Sequence, residues 1–178
     1  MRIHSVLSAA ATAALIAGAA SQASALSLKV TITNIAPAGG TILTPVWVGF
    51  HNGSFDSYDG GTASAPELER LAEDGNTAPL SSVFGANGTL VATGTAQVGT
   101  RVQDTLGGLL TPGNFVTNTF AVDNTGANRY FSYASMVLPS NDYYIANGNP
   151  LAHDLSSLTL GDTLSFFTRI IHKGCRAA

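Results

Sequence analysis

The chain has 178 residues, 45% of them hydrophobic and only 11% charged, with a formal net charge of −3 at pH 7. Eight Lys and Arg against eleven Asp and Glu exclude the dense basic surface that nucleic-acid binding requires, and a chain this apolar is not intrinsically disordered. Its one cysteine, Cys175, excludes an internal disulfide framework and a cysteine-rich zinc site.

The first element is a targeting segment. Met1-Arg2-Ile3-His4 is a short cationic start, Val6 to Ala20 is an apolar Ala-rich run, and Ala23-Ser24-Ala25 supplies the small-x-small pattern of a signal-peptidase site. Residues 1–25 therefore read as a signal peptide, too short and too Ala-rich for a membrane anchor. No later segment is long and apolar enough for a transmembrane helix. Loss of Arg2 takes the net charge from −3 to −4. The expected location is secreted, either periplasmic or extracellular, where Cys175 is a free thiol or an intermolecular link.

Residues 26–178 read as one domain. Leu28 to Thr33 alternates apolar and polar residues, the period of a strand with one buried face. Pro45 to Phe50 is a second, more apolar strand, with Trp47 and Phe50 assigned to the core. His51 to Ala63 is a Gly-, Ser- and Asp-rich loop. Ser64-x-x-Glu67 forms a capping box, Pro66 suits a first helical turn, and Leu68, Leu71 and Ala72 make one apolar face before Gly75 ends the helix. Thr77 to Phe84 repeats that logic over a shorter length. Thr89–Thr95, Asn114–Val122, Arg129–Leu138 and Thr163–Ile171 are further strands, separated by clusters of Asn, Gly, Asp and Pro. The pattern predicts an all-β fold with minor α content, an antiparallel β-sandwich carrying one or two short helices.

Motifs for catalysis are sparse. Asn52-Gly53-Ser54-Phe55-Asp56 lacks the second glycine of a nucleophile elbow, and His51, His153 and His172 have no spaced partners. The reading is therefore non-enzymatic, the alternative being a secreted hydrolase that uses His51 with Ser54 or Asp56. The acidic and amide residues offer a different chemistry. Asp123 closes one strand, while Asp142, Asn147 and Asn149 follow the next. If neighbouring strand ends share a rim, these oxygens suit Ca²⁺, which takes six to eight hard ligands. The competing reading makes Asp142 and Asn149 simple Asx-turn residues, and no EF-hand pattern is present. Asp56 and Asp59 form a second acidic pair in a turn-rich loop. Asn52-Gly53-Ser54 and Asn87-Gly88-Thr89 match the glycosylation pattern.

Three segments resemble the spondin domain. They are Val30–Asn34 with Val46–Asp56, then Leu68–Gly75, and, most specifically, Phe131–Asp142, a strand ending in Pro-Ser-x-Asp before an aromatic residue. The resemblance spans most of residues 28–150. It implies a C2-like sandwich, a Ca²⁺ ion held at one rim by Asp123 and Asp142, and an adhesive role towards an extracellular protein or glycan. Where the family has a further acid, this chain has Gly148 between Asn147 and Asn149, whose oxygens would stand in for it. The family's continuing strands have no counterpart in the last residues, which read as a shortened variant or an altered C-terminus. A sheet lacking a strand would expose an edge, so an edge-pairing structural surface protein is a further alternative.

Overall fold

The structure, a computed structural model, describes residues 25–59, 62–85 and 102–172. Within them the order is β1 (Leu26–Thr33), β2 (Ile42–Leu43), β3 (Val46–His51), α1 (Pro66–Asp74), α2 (Ala78–Gly85), β4 (Val102–Leu106), β5 (Phe115–Val122), β6 (Tyr130–Leu138), β7 (Tyr143–Ala146) and β8 (Ile171–His172). All strand pairs are antiparallel. The all-β class with two short helices is as the sequence implies. The signal-peptide assignment and the strand at Thr89–Thr95 lie outside the described residues, apart from Ala25.

The larger sheet runs β4-β3-β6-β7-β8, with β2 continuing the line of β3 along the same edge of β6. Pro45 has no N–H, so the ladder breaks between β2 and β3. Thr44 bridges the break: its N–H donates to Met136 O, and its hydroxyl accepts the Met136 N–H, at 3.1 Å each. The smaller sheet is β1 paired with β5 from Leu26–Val122 to Thr33–Phe115.

β3 and most of β6 are buried on both faces, which explains why their sequences are nearly continuously apolar. Period-two alternation sorts their side chains into two cores. Val46, Val48, Phe50, Phe131, Tyr133 and Val137 face the small sheet, where they meet Phe120 and Val122 of β5 and the half-buried Leu26, Leu28, Val30 and Ile32 of β1. Trp47, Ala134 and Met136 face the helices and pack with Phe55, Leu68, Leu71, Leu80 and Phe84. The sandwich therefore has three layers: a two-stranded sheet, the main sheet, and a pair of helices.

Trp47 organises the helical side. It is fully buried, edge-on to Phe84 at 5.1 Å and tilted against Phe55 at 5.6 Å, and its indole N–H donates to Gln103 Oε1. Gly49 is the residue that lets it lie flat. A Cβ there would stand 2.6 Å from the indole and 2.9 Å from the Phe84 ring.

α1 carries the expected apolar face, and Gly75 ends it in the left-handed conformation at φ 67°. Its start differs. Ala65 is the N-cap, with no side-chain cap, and Ser64 is buried with its hydroxyl 3.3 Å from the Tyr144 hydroxyl. The capping-box reading fails because Ser64 is used to tie the helix layer to β7. The expected strand over Thr163–Ile171 is also corrected. Only Ile171–His172 pairs, with β7, and residues 162–170 form an extended strap without a ladder. Three short strands, β2, β4 and β7, lay below what periodicity resolves.

The Gly49→Ala variant is expected to lose about 1–3 kcal/mol of stability by overpacking against Trp47 and Phe84. Urea unfolding followed by Trp47 fluorescence measures it, and a midpoint equal to that of the unaltered chain would refute the close approach.

Candidate functional site

The expected metal ligands do not converge. Asp123 precedes β6, held beside its first residues by reciprocal bonds with Asn128: Asp123 N donates to Asn128 Oδ1 at 3.1 Å and Asn128 N to Asp123 O at 2.9 Å. Asp142 follows the far end of β6, in the turn leading to β7. Nine residues of strand separate the two ends, roughly 30 Å at the usual rise per residue. The Asp123 carboxylate caps its own turn, accepting from Thr125 Oγ1 and Ala127 N at 3.2 Å each. At Asp142 the backbone N–H donates to Ser140 Oγ at 3.0 Å.

Asn147 is buried and committed elsewhere. Its Oδ1 accepts the Tyr133 N–H, and its Nδ2 donates to Ser132 Oγ and to Asn149 O. Asn149 makes the Asx-turn, Oδ1 accepting from Leu151 N at 2.9 Å. Asp123, Asp142, Asn147 and Asn149, assigned to one shared site, are thus not brought together. The two acids bound the same strand from opposite ends, and the amides serve the backbone. No group of three His, Cys, Asp or Glu able to hold a metal occurs among the described residues. The residues do not fit the Ca²⁺ ion the resemblance implies.

The second candidate, around His51, is assembled but closed. His51 is fully buried, with Nε2 2.9 Å from Ser132 Oγ and Nδ1 accepting the Gly53 N–H at 3.0 Å. Because Nδ1 accepts, the neutral ring carries its proton on Nε2 and donates it to the serine. Asn147 Nδ2 donates to the same oxygen at 3.0 Å. A general base needs the reverse tautomer, with Nε2 accepting the hydroxyl proton. His51, Ser132 and Asn147 therefore lock β3, β6 and the end of β7 together. This buried knot was not foreseen, since its members are remote in sequence and Ser132 lies inside an apolar strand.

Asp56, the other member of the expected dyad, is buried, and its Oδ1 accepts the Tyr58 N–H at 3.2 Å. Burial pushes its carboxyl up to about 6, with a smaller push from Asp59 and opposing backbone hydrogen bonds from Tyr58 and Ser57. Ser57 Oγ donates to Asn147 O, which joins this loop to the same knot.

The molecule opens on the other side. β1 is paired with β5 alone, and its second edge has no partner among the described residues. Facing that edge is the strap, and between them lies a cleft of about 650 Å³. Its floor is core, including Val46, Phe131, Tyr133 and Ile145, and among the described residues lining it the charged side chains are Lys29 and Asp162. The strap is anchored by Phe166, which stacks on His153 at 3.7 Å and on Tyr133 at 5.6 Å. Burial pushes the His153 imidazole down, keeping the stack neutral. Apolar residues remain in solvent around it, most of all Leu160 at 90% and Phe167 at 85% exposure. Sequence periodicity located both segments of this cleft as strands; what it could not indicate is that they stand apart.

Two outcomes follow from the geometry. Asp56 binds its proton more tightly folded than unfolded, so its contribution to stability is greatest at low pH and falls as pH rises from 3.8 to about 6. Asp56→Asn, which retains the Oδ1 acceptor, should flatten that part of the stability–pH curve; an unchanged slope would refute the burial argument. With Asp123 and Asp142 apart, melting temperatures in Ca²⁺ and in EDTA should coincide. A Ca²⁺-dependent rise abolished by Asp142→Ala would reinstate the metal.

No helix among the described residues is long and apolar enough to cross a membrane. No family model matches the chain, nor does any curated protein.

Proposed function

We propose that this chain is an exported, non-enzymatic binding module that recognises an extended protein segment in the cleft beside β1. The observation carrying this reading is an eight-residue strand edge, without a partner among the described residues, beside a nearly uncharged cleft with an apolar floor. An edge strand offers a row of backbone donors and acceptors, and alternate side chains of an added strand would find the apolar floor. The leader-like Met1–Ala25 supports export, and the spondin resemblance of Phe131–Asp142 supports an adhesive role. The closed, donor-saturated His51–Ser132 pair favours this reading over a hydrolase. Neither metal nor cofactor has a part in it.

A hydrophobic dye such as ANS tests the face directly. It should fluoresce with the folded chain, and the Leu160→Ser, Phe167→Ser double variant should lose most of that signal while melting at nearly the same temperature, both residues being exposed. Equal fluorescence in the variant would remove the cleft as a binding face.

A further inference from the structure

We infer that the outer side of the strap is a docking face for an anionic lipid surface, with Phe167 entering the interface and Arg169 meeting the headgroups. This goes beyond the cleft reading and does not rest on it.

Charge is divided unevenly along the chain. All eleven acids lie between Asp56 and Asp162, whereas residues 163–178 contain none and carry Arg169, Lys173 and Arg176. A chain of net charge −3 thus includes a cationic stretch that also holds Leu164, Phe166, Phe167, Ile170 and Ile171. The charge of Arg169 is not spent inside the molecule. Among the described residues Arg70 and Arg129 are bound to Asp74 and Asp154, while Arg169 is exposed and has no ion pair.

The strap presents these groups together. Phe166 turns onto His153 and Tyr133, and neighbouring side chains of an extended segment point to opposite sides. Phe167 and Arg169 therefore share the outward side, where both are exposed. Leu164 and Ile170 flank them, 44% and 50% exposed. The stack and the pairing of Ile171–His172 with β7 already hold the strap in place, which lowers the ordering cost of docking. The acids are kept aside. Glu67, Glu69, Glu73 and Asp74 are on α1, against the opposite face of the main sheet from Tyr133. Asp162 starts the strap and Asp142 precedes Tyr143, the partner of His172, so Phe167 and Arg169 lie between the two. A folded protein partner would need pockets matched to each projecting side chain. The boundary between headgroups and acyl chains accepts aromatic and aliphatic groups at any spacing, and anionic headgroups complement the adjoining cations.

Vesicle flotation tests this with residues 26–178, which keep every described element and omit the apolar run Val6–Ala20 that could itself enter a bilayer. The protein should bind phosphatidylcholine vesicles that contain phosphatidylserine, bind pure phosphatidylcholine more weakly, and lose affinity as salt is added. A cation beside an anionic leaflet is worth roughly fivefold in partitioning, so Arg169→Glu, which removes one and adds an opposing charge, should weaken binding about twentyfold at low salt. Phe167→Ser should weaken it about tenfold at low and high salt alike. Both side chains are exposed, so each variant should melt close to the unaltered protein. Failure to bind the phosphatidylserine vesicles overturns the inference, and so does equal binding by Arg169→Glu. Binding that Phe167→Ser leaves unchanged and that soluble polyglutamate competes away overturns it in favour of an acidic protein partner. Arg169 does not line the cleft beside β1, so lipid binding that fails while the dye signal persists removes the lipid face and leaves the cleft standing.

Discussion

The fold depends on two strands being buried on both faces. β3 and β6 lie at the centre of the main sheet, and each sends alternate side chains into a different core. One consequence is that neither the small sheet nor the helices could hide the other's apolar surface. Each closes one side of the same ribbon. Two short helices and a two-stranded sheet are marginal in isolation, and only the shared central layer makes them stable. Trp47 shows how tight the fit is, since the ring has room only because position 49 has no side chain.

Much of this was legible in the sequence. The alternation of Leu28–Thr33, the apolar run Val46–Phe50 and the strand Arg129–Leu138 map onto β1, β3 and β6 within a few residues, and Leu68, Leu71, Ala72 and Gly75 set the face and end of α1. The failures have physical causes. Ser64 carries the signature of a cap, but a buried tyrosine hydroxyl competes for its side chain. Thr163–Ile171 has strand periodicity, but periodicity describes only which residues want burial and not whether a partner edge lies within hydrogen-bonding distance. β2, β4 and β7 are too short for a period to register.

The candidate sites were less legible, for a related reason. Asp123 and Asp142 are near in sequence, yet a strand carries the chain outward as far as it is long, so acids on either side of β6 end far apart. Asn147, expected to bind a cation, is spent on hydrogen bonds to Tyr133, Ser132 and Asn149. The His51–Ser132 contact joins residues remote in sequence, and the direction of its proton follows from the Gly53 N–H rather than from any motif. Polar groups inside this protein are there chiefly to satisfy one another, which is the usual condition of buried polarity.

The separation of the two cores has its own implication. The main sheet stands between the helices and the β1 edge, and the two apolar clusters have no residue in common. Because alternate residues of β3 and β6 belong to different clusters, a change in packing on the helical side reaches the open flank only through that shared layer.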